Sequence, residues 1–127
     1  MIDHVSVPVG DLQAAAAFYG PVLEPLGLVL LVTREGTIGF GKRYPEFWLN
    51  LRDQIPRSAD PGGHICLRAP TEEAVRAFHA AALVNGGVDH GAPGERAATM
   101  GRYYGAFVLD PDGNKLEAVT FPKAEPA

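Results

Sequence analysis

The feature that most constrains this chain is an internal duplication. His4 and His64, sixty residues apart, each open an apolar run, Val5-Ser6-Val7-Pro8-Val9 and Ile65-Cys66-Leu67-Arg68-Ala69. Seven residues after each histidine stands a helix N-cap type, Asp11 and Thr71. At the same offset Ala14 matches Ala74, Ala17 matches Ala77, Phe18 matches Phe78, Leu23 matches Leu83 and Gly27 matches Gly87. Any one match is cheap, but a gap-free series says that one supersecondary unit was used twice.

Each half reads as strand, helix, then strands. The first helix is predicted from about Asp11 to Leu23, with an end made irregular by Pro21 and Pro25. The second is predicted from about Thr71 to Val84, stopped by Asn85-Gly86-Gly87. Strand signals follow at Leu28–Thr33, Thr37–Phe40 and Glu46–Leu51, and again at Val88–His90, Tyr103–Leu109 and Lys115–Phe121. Asp110-Pro111-Asp112-Gly113-Asn114 is a hairpin turn. The expected organisation is a single α+β domain of two tandem βαβββ modules, about 1–52 and 62–121. Residues 53–61 form a linker, Ala92–Gly101 a loop and 122–127 a tail.

The totals fit that picture and exclude others. A chain of 127 residues suits one domain, and no apolar run approaches a membrane span. The opening segment Ile2–Val9 has no basic stretch and no signal-like apolar core. One cysteine, Cys66, excludes an intramolecular disulfide and fits a reducing compartment, so a cytoplasmic location is expected. A net charge of −4 without a basic run argues against nucleic acid as a partner.

Strand alternation then sorts the polar residues. Val5, Val7 and Val9 face a helix, leaving His4 and Ser6 on the other face. In the second copy Ile65, Leu67 and Ala69 oppose His64, Cys66 and Arg68. In the last strand Leu116 and Ala118 oppose Lys115, Glu117 and Val119. Two equivalent histidines and one carboxylate can thus project from the concave sides of the sheets. Such a set, with open positions left over, suits Fe(II), Mn(II), Zn(II) or a similar divalent ion that a chelating substrate can reach.

The residues also carry a resemblance. Ile2-Asp3-His4-Val5-Ser6-Val7, Gly10-Asp11-Leu12, Phe18-Tyr19 and Gly27 are similar to the first half of the vicinal oxygen chelate superfamily (glyoxalases, bleomycin-resistance proteins and extradiol dioxygenases). Gly63-His64-Ile65 and Asp110-Pro111-Asp112-Gly113-Asn114-Lys115-Leu116-Glu117 resemble its second half. The likeness spans about residues 1–121 and looks closest to an uncharacterised glyoxalase-like branch. It implies curved mixed sheets cupping a cavity, helices outside and homodimerisation, which would also cover open sheet edges. It implies one divalent metal ion (Fe, Mn, Zn, Ni or Co) held by His4, His64 and Glu117. A fourth ligand position falls on Trp48, where glyoxalase I enzymes resemble one another in having a carboxylate. That departure favours a three-ligand site.

Two functions stay open at this point. One is an enzyme in which the ion binds adjacent oxygens of a small substrate and stabilises an enolate-like or oxyanion intermediate, or activates dioxygen if it is iron. Glu117 is then catalytic as well as a ligand, and lyase, isomerase and dioxygenase chemistries all remain. The other is a metal-free drug- or metabolite-binding protein of the bleomycin-resistance type. In either case Trp48, Tyr104, Arg68 and Lys115 are candidate substrate-binding residues. Three of them also have a blander role, Trp48 as core and the two cations as solvated edge; Tyr103 and Tyr104 alternate in direction, and Tyr104 is taken as the one that faces the cavity. His79 and His90 are read as solvated, and Cys66 as a small residue without a base to activate it. Gly36-Thr37-Ile38-Gly39-Phe40-Gly41-Lys42 has phosphate-loop spacing, but Arg43-Tyr44-Pro45 follows where a helix must start, so it is read as a β-hairpin.

Overall fold

The computed structural model describes residues 1–55, 62–98 and 101–122. Most of the linker and the end of the tail therefore lie outside the described residues. The first module runs β1 (Val5–Val9), α1 (Leu12–Leu23), a 3-10 turn (Glu24–Leu26), β2 (Val29–Thr33), β3 (Thr37–Gly41) and β4 (Pro45–Leu51). The second runs β5 (Ile65–Arg68), α2 (Glu72–Val84), β6 (Val88–Ala98), β7 (Gly101–Leu109) and β8 (Lys115–Thr120). Each module makes its own mixed four-stranded sheet, ordered β1-β4-β3-β2 and β5-β8-β7-β6. The first and last strands of each are parallel neighbours, in matching registers: Ser6 pairs with Trp48, and Cys66 with Glu117. Duplication in the sequence is thus duplication of topology.

Both helices start where their caps predict. Asp11 and Thr71 sit in extended backbone and accept from the amides of Ala14 and Ala74, which satisfies one orphan N–H at each helix start. Pro21 is accommodated inside α1, at the loss of one N–H donor, and the helix tightens into its 3-10 turn only after Leu23. Gly27 then takes φ 85°, a left-handed turn that a side chain resists.

The helices join the modules. Helix α1 packs against α2, and Phe18, Tyr19, Val22, Leu23, Val75, Phe78 and Ala82 merge with Val9, Phe40, Phe47, Leu49, Ala106, Val108, Leu116 and Ala118 in one core. Gly87 must be glycine here, because a Cβ would stand 2.8 Å from Phe18 Cε2. The turn between β7 and β8 is the second joint. Tyr19 donates to the buried Asp110 at 2.5 Å, Asn114 Nδ2 to the Pro8 carbonyl at 2.9 Å, and the Gly10 amide to Asp112 at 3.2 Å. Burial pushes the Tyr19 hydroxyl pKa well up, reinforced by the Asp110 charge, and burial also raises Asp110. The Asp-Pro-Asp-Gly-Asn motif therefore works as a latch from module 2 into module 1.

One predicted loop is a strand. Residues from Ala92 to Ala98 continue β6, paired with β7 through two register shifts at Asp89/Gly91 and Gly91/Gly94. Gly91, Pro93 and Gly94 resemble loop residues because they form these bulges, where ladder pairing is interrupted. Among the described residues no helix is long and apolar enough to cross a membrane.

Candidate functional site

Because each helix covers one face of its sheet, the alternate residues of each strand form an opposite, open face. On module 2 that face is organised around Glu117. Glu117 is 6% exposed and is paired on β5 with Cys66 and on β7 with Phe107. His64, just before β5, brings Nε2 to 2.9 Å from Glu117 Oε1 and sets its ring 5.6 Å from that of Phe107. Cys66 lies beside them. Burial, with the Glu117 charge behind it, pushes its thiol pKa up to about 12. A thiol at that value stays protonated at neutral pH, which agrees with its reading as a non-nucleophile.

The module 1 face is built differently. Trp48 occupies the position equivalent to Glu117, since its partner Ser6 is the equivalent of Cys66. Its ring lies over Gly39, where a Cβ would come within 2.9 Å of Cζ3, and Arg34 stacks 5.8 Å from it. Trp48 thus faces away from the helix, on the side expected for it. His4 is half exposed and, among the described residues, hydrogen-bonded only to its neighbour Asp3, at 2.8 Å.

The structure brings His64 and Glu117 together. Among the described residues of one chain no group of three His, Cys, Asp or Glu side chains is placed to hold an ion, so His4 stands apart from that pair. The pair itself fits half of a metal centre. Two ligand atoms each about 2.1 Å from one ion, at a right angle, stand about 3 Å apart, close to the observed separation.

The remaining candidates divide. Lys115 is on the Glu117 face, with Nζ 4.9 Å from the Phe107 ring. Arg68 points to the same side, over Phe121 at 4.7 Å, and borders a cleft with Leu26, Lys42, Glu46 and Phe47 of module 1. The expectation for Tyr104 is corrected. It pairs with Thr120 on the helix side, where Arg76 of α2 donates to its hydroxyl at 3.2 Å. Tyr103, 6.3 Å from Phe121, is the tyrosine on the open side. His79 is corrected as well: it is buried on α2 and bonded to Asp89 at 2.9 Å, and this bond holds the Asp89 pKa below its ordinary value. Phe107 and Arg96, which complete the face, were missed by the sequence reading. Counting back from the Asp110–Asn114 turn sets Leu109 opposite Lys115 and therefore Phe107 opposite Glu117.

Comparison with known proteins agrees with this architecture. Residues 1–118 match the Glyoxalase/Bleomycin resistance protein/Dioxygenase superfamily, and the chain belongs to that superfamily. It is similar to a glyoxalase/bleomycin resistance protein from Albidiferax ferrireducens T118, with 33% identity and a TM-score of 0.84, covering 95% of this chain and 99% of that one. A glyoxalase/bleomycin resistance protein/dioxygenase from Alicyclobacillus acidocaldarius shares the fold at 20% identity and a TM-score of 0.68, over 97% and 92% of the two chains. A glyoxalase-related enzyme from Fulvimarina pelagi does so at 20% and 0.70, over 96% and 88%. No curated protein matches.

Proposed function

We propose that the protein is a metal-dependent enzyme acting on a small substrate with two adjacent oxygens. The divalent ion would be held by His64 and Glu117 of one copy and His4 of the partner subunit. The observation that carries this reading is the convergence of His64 Nε2 and Glu117 Oε1 at 2.9 Å on an open sheet face. A homodimer supplies the third ligand, and two features support it. His4 is exposed and, among the described residues, tied only to Asp3, and Val29, Leu30 and Leu31 on edge strand β2 are exposed apolar residues that need cover.

The ion would polarise the bound oxygens and stabilise negative charge developing on them. Glu117 does the protein's own part. It is a buried carboxylate beside a protonated thiol, able to take a proton from the substrate carbon next to those oxygens. Phe107 keeps water from that side of the carboxylate, and Trp48 offers an aromatic wall from the other module.

A second reading is favoured by Trp48 itself. An aromatic ring in place of a carboxylate at the equivalent position suits a metal-free binding protein of the bleomycin-resistance kind that the similar Albidiferax protein is named for. Metal analysis of protein purified without chelator separates the two. The enzyme reading predicts a bound divalent ion, lost in His64→Ala and weakened in Glu117→Gln, with affinity falling as acid protonates the imidazoles. The binding reading predicts no metal in any form and unchanged ligand affinity in both variants.

A further inference from the structure

The Glu117 face carries more positive charge than its one carboxylate accounts for. Arg96 reaches over it from β6, with Cζ 5.3 Å from the Phe107 ring, and Lys115 Nζ is 4.9 Å from the same ring. The approach depends on Gly91, since a Cβ there would stand 2.9 Å from Phe107 Cδ2 and 3.3 Å from Arg96 Nη2. Arg96 spends Nη2 on the Ala92 carbonyl at 2.7 Å, while its buried Nε has no hydrogen-bond partner. Among the described residues neither Arg96 nor Lys115 makes an ion pair.

A buried N–H without an acceptor is costly. An aromatic face stabilises a cation without consuming its N–H groups. Both cations thus lie against Phe107, the ring that neighbours His64 and Glu117, with N–H groups to spare for which an oxyanion is the natural acceptor. Among the described residues a single cation, Arg34, lies on Trp48 of the module 1 face.

We propose that Arg96 and Lys115 form an anion subsite, so that the substrate carries a carboxylate or phosphoryl group in addition to its adjacent oxygens. The position of those oxygens rests on the metal-site reading; the anion contact does not. Three α-hydroxyketones test it by calorimetry: dihydroxyacetone, which is neutral, hydroxypyruvate, which adds a carboxylate, and dihydroxyacetone phosphate. In the wild-type protein at least one charged member should bind about tenfold more tightly than the neutral one. Which of the two gains more tells carboxylate from phosphoryl. The Arg96→Met, Lys115→Met double variant keeps the stems on Phe107 and should bring all three within about twofold. An Arg96→Lys, Lys115→Arg variant should restore the preference, which a purely structural role would not predict. Chelator-treated protein should keep the preference even if all three bind more weakly. Equal binding with and without metal, with the preference intact, would overturn the metal reading and leave the anion subsite standing. Tighter binding with metal but no preference would do the reverse. A preference that survives the double variant, or no binding of any of the three, would overturn the subsite.

Discussion

The two modules share a topology and differ in where they place their aromatic ring. In module 1 the ring is Trp48 on β4, lying over Gly39 on β3. In module 2 the positions are exchanged: Phe107 on β7 supplies the ring, and Glu117 on β8 supplies a carboxylate beside it. One face is an aromatic wall with an exposed histidine at its edge. The other is a charged site with a histidine turned inward. Duplication provided two equivalent platforms, and a swap of bulk between neighbouring strands left a carboxylate at the centre of only one of them.

Two platforms that differ only in their side chains need a structural latch between the modules, and the largest expected effect lies there. Asp110 is itself buried and accepts from Tyr19, from the amides of Asp112 and Asn114, and from Asn114 Nδ2. Asp110→Ala should cost about 3 kcal/mol in denaturant unfolding, because it strands buried donors, and Tyr19→Phe about half of that. A neutral Asp110→Ala would mean that the latch does not hold the modules together. Next in size is Gly39→Ala. The added Cβ meets Pro45 Cβ and the Trp48 ring at 2.9 Å, so about 1–2 kcal/mol should be lost and Trp48 fluorescence should shift. No change would mean that the ring does not lie flat on Gly39.

The smallest effect is a pH dependence peculiar to module 2. His79 and the Gly91 amide hold the Asp89 pKa down. A depressed folded-state pKa contributes stability that is present above the ordinary aspartate range and lost as pH falls through the lower folded value. Asp89 is exposed, so the loss should be slight. It should appear as a modest difference between wild type and Asp89→Asn that vanishes in acid; a difference that grows in acid would reverse the assignment.

Much of this was legible in the sequence because it depends on local rules. Asp11 and Thr71 announced their helices, and the offset of His4 to His64 announced the modules. The parity of β1, β5 and β8 placed Ser6, Cys66 and Glu117 on the open faces. What failed was non-local or hidden by turn chemistry. Alternation says that Tyr103 and Tyr104 point opposite ways but not which one points inward; that sign comes from the β7–β8 register. The bulges at Gly91 and Gly94 disguise β6 as a loop and so concealed Arg96. His79 looked like a solvated helix residue because its partner Asp89 lies on a different element.

In the proposed dimer the charged face of module 2 is completed by the histidine of module 1 from a second copy, and subunit complementation tests this arrangement. His4→Ala and His64→Ala variants, purified separately, should each lose bound metal. Co-expressed, they form mixed dimers in which one of the two sites has every ligand. Random pairing should therefore restore metal to about a quarter of the wild-type content. Recovery near that level is the predicted result. Loss of metal in both single variants with no recovery on co-expression would place all three ligands in one chain, and metal retained by either single variant would contradict the shared site altogether.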